Sequence, residues 1–185
     1  MKLSNIKYVY KFNKGEFMFE IISHNEIETK EIACKLASKL SHGDIVVLSG
    51  DLGSGKTKFT EGFLSFWGLE DEISSPTFTI VNEYTSNDVN IYHFDVYRLE
   101  DSEEFLAIGG LEYFENGICI IEWGELIKDI LPNNYIQIIF SKDSNNENIR
   151  YLKFNIVGEK IKETIKELFN KWKFWVYQHQ VILQL

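Results

Sequence analysis

Residues 44 to 68 read DIVVLS-GDLGSGKT-KFTEGFLSFWG. An unbroken apolar run feeds a glycine-rich octet. The octet feeds a segment with Phe59, Phe63 and Phe66 on one helical face and Gly68 as its stop. An apolar run without alternation suits a strand buried on both faces of a parallel sheet. The octet matches G-x-x-x-x-G-K-[ST] at Gly50, Gly55, Lys56 and Thr57. Such a loop turns tightly enough to aim several backbone N–H groups at one anion, and glycine permits the turn. The helix that follows adds the positive end of its dipole. Lys56 offers a point charge to the outer phosphates and Thr57 a hydroxyl to Mg²⁺. A glycine-rich turn arising by chance needs no buried strand before it and no helix after it; here both are present. The candidate nucleotide-binding run is Gly50, Asp51, Leu52, Gly53, Ser54, Gly55, Lys56, Thr57 and Lys58, with Lys56 also a candidate catalytic residue.

The flanking sequence continues in the same alternating style. FEIISHNEIETKEIACKLASKL predicts a strand, a loop and a helix, with Asn25 as cap and Glu28 three residues on. Ile32, Leu36 and Leu40 form its apolar stripe and Gly43 its stop. TFTIVNEYTS and VNIYHFDVYRL predict two strands joined by the turn SNDVN. DSEEFLAIGGLEYF gives short helical turns and GICIIEW another buried strand. NYIQIIFSKDSNNENIRYLKFNI predicts a β-hairpin around KDSNNEN, and EKIKETIKELFNKWKFW a lysine-rich amphipathic helix. Residues 1–17 read as an N-terminal extension, or a misassigned start, ahead of a second methionine, Met18. Residues 18–171 form the nucleotide-binding domain. Residues 172–185 are an apolar tail without an assignable role.

Charge narrows the function. The net charge is −9, and the arginines are two, Arg98 and Arg150. A chain this acidic lacks the basic face that grips nucleic-acid phosphates, so any nucleic acid is expected to be held by a partner. Cys34 and Cys119 lie far apart without metal-ligand spacing, which points to a reducing cytoplasm. No apolar stretch is long enough for a membrane span. Guanine recognition through Asn-Lys-x-Asp is disfavoured, because NKGE (13–16) precedes the octet and NKWK (170–173) lacks the aspartate. Metabolite kinases on this fold need several arginines to close over the phosphates; two are too few, which favours hydrolysis or switching. A small-molecule kinase and a nucleotide-gated interaction module with negligible turnover stay open as alternatives.

A nucleotide site also needs acids for metal and water. Two follow apolar runs, Asp95 in IYHFDVYR and Glu122 in ICIIEW, so each is expected at the carboxyl edge of its strand, the edge that also carries the phosphate loop. Solvated or lysine-paired strand-end acids are commoner singly than as a pair beside such a loop. Asp95 is the candidate catalytic residue, and Thr57, Glu122 and Asp95 are the candidate metal ligands. SSPTFT (74–79) occupies the position of a switch loop; a plain Ser-Pro turn is the simpler alternative. Alternation puts His93 on the face of its strand that carries Asp95, as a hydrogen-bonded structural histidine. Trp123 reads either as core or as a lid over the phosphates.

GDLGSGKT, SPTFTIVNEY, YHFDVYRL and IEWGE, in this order, resemble the bacterial TsaE (YjeE) family over roughly residues 18 to 156. The resemblance implies an α/β fold, a three-layer sandwich of the P-loop NTPase type with a mainly parallel sheet and an antiparallel C-terminal part. It implies an Mg²⁺-dependent ATPase that acts with TsaD-like and TsaB-like subunits in threonylcarbamoylation of the adenosine next to the anticodon of tRNA. It assigns phosphates to Gly53–Lys56, Mg²⁺ to Thr57 and Glu122, and water or metal orientation to Asp95. It assigns the switch to Ser75, Pro76 and Thr77, and Trp123 to the same signature. It suggests Glu26 and Thr29 near the adenine and Arg150 near the nucleotide.

Overall fold

The computed structural model describes residues 11–13, 16–74, 76, 79–86, 89–159, 161, 162 and 165. Its strands are β1 (Lys11–Asn13), β2 (Glu16–Ser23), β3 (Ile45–Ser49), β4 (Val81–Ser86), β5 (Val89–Asp95), β6 (Ile118–Glu122), β7 (Tyr135–Lys142) and β8 (Arg150–Val157). Its helices are α1 (Glu26–Ala37), α2 (Lys56–Leu64), α3 (Ser102–Ala107) and α4 (Gly110–Asn116). All eight strands form one sheet in the order β1-β2-β8-β7-β3-β6-β5-β4. The inner strands β7, β3, β6 and β5 run parallel. The antiparallel part includes the expected hairpin β7–β8 and extends beyond it: β2 and β1 continue it at one side, and β4 closes the other. The first long strand begins at Glu16, ahead of Met18.

Strand alternation builds the layers. Val46 and Leu48 of β3, with Ile118 and Ile120 of β6, pack into one cluster with Phe59 and Phe63 of α2 and Ile32 and Leu36 of α1. Ile45 and Val47, with Cys119 and Ile121, point the other way into a second cluster with Phe105 of α3 and Phe114 of α4. Both faces of the central strands are therefore covered, which explains their unbroken apolar sequence. Burial pushes the Cys119 thiol up to about 12, so it packs as a small hydrophobe.

Local signals fix most boundaries. The Asn25 side chain accepts from the Glu28 N–H at 2.9 Å, and the Glu28 carboxylate accepts from the His24 N–H at 2.8 Å. Together they satisfy two donors that the helix start leaves open. Helix α1 stops at Ala37, earlier than Gly43, where the sequence places its end. Gly43, at φ 84°, instead turns the chain into β3 and donates its N–H to the Gly117 carbonyl at 2.8 Å. After α2 the chain tightens into a 3₁₀ turn, Ser65–Trp67, and ends at Gly68 with φ 72°. The tighter winding carries Phe66 off the buried face, leaving it 45% exposed against the edge of Trp67. Most of the lysine-rich helix expected from residue 159 and the apolar tail 172–185 lie outside the described residues. Ile161 and Ile165 are buried in the first cluster.

Helices α1 and α2 touch where α2 has Gly62. A Cβ there would lie 2.3 Å from Lys30 Cα and 2.4 Å from the Lys30 carbonyl oxygen. The helices must separate to admit it, and α2 carries the phosphate loop. Gly62→Ala is expected to lose about 2 kcal/mol despite the better helix propensity of alanine. For a domain of this size that lowers Tm by roughly 4–8 °C, measured by calorimetry. An unchanged Tm would show that the crossing has slack.

Candidate nucleotide-binding site

The octet connects the end of β3 to α2, as its sequence requires. Gly50, Gly53 and Gly55 all have left-handed backbone, at φ 129°, 71° and 111°. Gly50 is also sterically fixed, because a Cβ would fall 2.4 Å from the Phe140 carbonyl oxygen on β7. Gly55 stands at the cap position of α2, and among the described residues no side-chain cap hydrogen bond closes this N-terminus. The first N–H groups of α2 are thus available to an anion. Ser54 Oγ is buried in the loop with no hydrogen-bond partner among the described residues.

Lys56 is 4% exposed. Its Nζ donates to the Gly50 carbonyl at 2.6 Å and the Asp51 carbonyl at 3.1 Å, and lies 3.9 Å from the centroid of the Trp123 ring. Burial pulls its pKa below the usual lysine range, while Glu122, Glu125, Asp95 and Asp51 push it back up. The four acids offset part of the cost of burying an ammonium beside the loop.

The two acids stand where the strand argument puts them. Asp95 pairs with Glu122 across parallel strands β5 and β6, and Glu122 pairs with Leu48 on β3. Ile91 on β5 and Ile120 on β6 belong to the α2-side cluster, so alternation turns His93, Asp95 and Glu122 to that side too. His93 is fully buried, and its Nε2 lies 3.1 Å from Glu122 Oε1. Asp95 Oδ1 accepts from the Tyr97 N–H at 3.1 Å. Among the described residues, two that are not glycine have left-handed backbone, Ile80 at φ 66° and Trp123 at φ 63°. Each adjoins an acid. The Ile80 carbonyl accepts from the Asp95 N–H at 3.0 Å, and Trp123 follows Glu122 and donates its own N–H to Leu48 at 2.8 Å. Strain of about 1–3 kcal/mol per such residue concentrates where function holds the backbone.

One cleft of about 380 Å³ collects these groups. It is lined by Leu52, Gly53, Gly55, Lys56, Thr57 and Lys58 from the loop and α2, by Asp95, Glu122 and Trp123 from the strand ends, and by Glu26, Thr29 and Arg150. Gly50, Asp51 and Ser54 shape the loop without lining the cleft. Arg150 donates from Nε to the Ser54 carbonyl at 2.9 Å, so the hairpin braces the octet from across the sheet. Thr29 lies at the edge, but its hydroxyl is bonded to Ser23 Oγ at 2.7 Å and holds the strand–helix turn. Glu26 is exposed, with a carboxylate oxygen 3.8 Å from Lys58 Nζ. Ser75 and Thr77 lie outside the described residues. Ser74, just before them, accepts through its carbonyl from the Asn82 amide at 2.8 Å.

Several lining and supporting residues escape the sequence reading. Asn25, Glu147 and Asn148 also border the cleft. Tyr97 packs on Trp123 with ring centroids 4.9 Å apart. Glu125 accepts from Ser49 Oγ at 2.6 Å, tying the end of β3 to the turn after Trp123. Glu125 stands inside IEWGE, so proximity to Glu122 was the available signal. The donor set suits Mg²⁺: the Glu122 carboxylate and the Thr57 hydroxyl, both oxygen donors, border the cleft, with the Asp95 carboxylate beside them. No cluster of three or more His, Cys, Asp or Glu side chains that could hold a metal by itself exists among the described residues.

The family profile described as Threonylcarbamoyl adenosine biosynthesis protein TsaE matches residues 23–150. A Bacillus subtilis (strain 168) protein named tRNA threonylcarbamoyladenosine biosynthesis protein TsaE is 41% identical over 145 residues, 78% of this chain and 89% of the relative. A Haemophilus influenzae protein of the same name is 41% identical over 118 residues, 63% of this chain and 75% of the relative. The crystal structure of YdiB from Bacillus subtilis matches with a TM-score of 0.69 at 33% identity, covering 89% of this chain and 99% of that one. The octet, both strand-end acids, Trp123 and Arg150 all fall inside the matched span. The chain belongs to the TsaE family.

Proposed function

We propose that this chain binds ATP with Mg²⁺ in the cleft and hydrolyses it in support of tRNA threonylcarbamoylation, in the cytoplasm, alongside TsaD-like and TsaB-like subunits. One observation carries the reading. The glycine-capped α2 N-terminus, the Lys56 ammonium and the paired acids Asp95 and Glu122 converge on a single cleft. The relatives' names supply the pathway.

The roles follow from the chemistry of each group. Backbone N–H groups of Gly53 to Thr57 hold the phosphates, and Lys56 exchanges its two loop carbonyls for phosphate oxygens. Thr57 and Glu122 hold the metal, which when bound neutralises phosphate charge. Asp95 orients the attacking water. Arg150 keeps the loop in shape through Ser54. Glu26 and Thr29 border the end of the cleft assigned to the adenine. Loop 74–79, with Ser75 and Thr77, is the nucleotide-sensitive contact for the partner, since γ-phosphate contacts order such loops. A net charge of −9 leaves tRNA binding to the other subunits.

Reconstitution tests this. Purified chain, TsaD-like and TsaB-like subunits, tRNA and ATP are expected to form the modified adenosine only when this chain and ATP are both present. Binding to the TsaD-like subunit should be tighter with ATP than with ADP, and the isolated chain should not shift naked tRNA at physiological salt. Equal partner affinity with ATP, ADP and no nucleotide contradicts the proposal, because a ligand without differential affinity shifts nothing. Phosphate transfer to an added alcohol would instead establish a kinase.

A further inference from the structure

His93 contributes none of its atoms to the cleft lining, yet it is fully buried beside it. Its register neighbours are Asn82 on β4 and Ile120 on β6. Ile120 is apolar, and the Asn82 amide is spent on Ser74 and Thr79. Among the described residues the ring has one polar partner, Glu122 Oε1 at 3.1 Å, and its Nδ1 is buried with none. A carboxylate only accepts, so the hydrogen lies on Nε2 and the unpartnered Nδ1 is the lone-pair nitrogen. An unmatched buried acceptor costs less than an unmatched donor, so the packing selects this tautomer. The Glu122 side chain makes no other hydrogen bond among the described residues. A side chain with several rotatable bonds, at the rim of a cleft, is thus fixed by one donor.

We propose that His93 is a positioning residue: by donating Nε2–H to Oε1, it orients the Glu122 carboxylate so that its second oxygen faces the cleft for Mg²⁺. The inference rests on the metal role given to Glu122 above. Removing the partner that orients a metal ligand typically costs 10–100-fold in metal affinity. A residue that merely filled space would change stability and leave the metal dependence alone.

Fluorescent N-methylanthraniloyl-ADP, titrated with the full chain in EDTA and over a Mg²⁺ series, separates the two. In His93→Leu, the affinity in EDTA should match the wild type, and the Mg²⁺ concentration for half-maximal enhancement should rise about 10-fold or more. His93→Gln, whose amide nitrogen reaches the place of Nε2, should recover most of the loss. His93→Asn, whose amide is too short, should not. The Gln and Asn variants carry the test if the Leu variant does not fold. A Mg²⁺ dependence unchanged in Leu and Asn, or equal in Gln and Asn, overturns the positioning role. Wild-type protein whose binding ignores Mg²⁺ overturns the metal reading of the cleft, and this proposal with it.

Discussion

Lys56→Ala is expected to reduce ATP hydrolysis by at least about 10²–10³-fold, the scale seen when one donor to developing transition-state charge is removed. Nucleotide affinity should fall as well. Lysines dominate the cations of this chain, but at the loop Lys56 is the buried one, held between the Gly50 and Asp51 carbonyls and the Trp123 ring. Arg150 does not replace it, because its Nε is already bonded to the Ser54 carbonyl and its Nη1 to the Ile149 carbonyl. Alanine also removes a donor from two carbonyls, so thermal unfolding should be measured beside turnover. Lys56→Met, which keeps the aliphatic stem, should show the same loss of turnover. Full activity in either folded variant removes the octet from the chemistry.

Asp95→Asn should separate chemistry from binding. Asparagine retains the Oδ1 that accepts the Tyr97 N–H at 3.1 Å, so this hydrogen bond at the end of β5 is kept. It loses the charge. Hydrolysis should fall by about 10²-fold or more, while the Kd for Mg²⁺·ADP should change by less than about threefold. Glu122→Ala should do the reverse and weaken Mg²⁺-dependent binding first. The pair is paired in register, so the contrast depends on role and not on distance from the loop. Single-turnover hydrolysis and calorimetric titration give the two readouts. Equal behaviour of the two variants would remove the division of labour.

Much of this arrangement is legible before folding, because it rests on local rules. The apolar runs of β3 and β6 announce strands covered on both faces, and the position of Asp95 and Glu122 after such runs places both at the loop's edge of the sheet. The cap at Asn25 is equally local. What sequence hides depends on pairing between distant segments. Alternation gives the face of His93, but its bond to Glu122 follows from β5 lying next to β6 in one register. Arg150 meets Ser54 because the hairpin folds back beside β3. The 3₁₀ turn that exposes Phe66 follows the end of α2 at Leu64, and a face drawn at 100° per residue misses it. The left-handed backbone of Trp123 and Ile80 runs against residue preference, so no propensity argument finds it.

The decisive measurement is a crystal structure with Mg²⁺ and a non-hydrolysable ATP analogue. The phosphates are expected on the N–H groups of Gly53 to Thr57, with Lys56 Nζ turned from the Gly50 and Asp51 carbonyls to the outer phosphates. The metal is expected to be held by Thr57 and Glu122. A nucleotide bound outside this cleft, or one that leaves Lys56 on its loop carbonyls and Glu122 without metal, would contradict the proposed function.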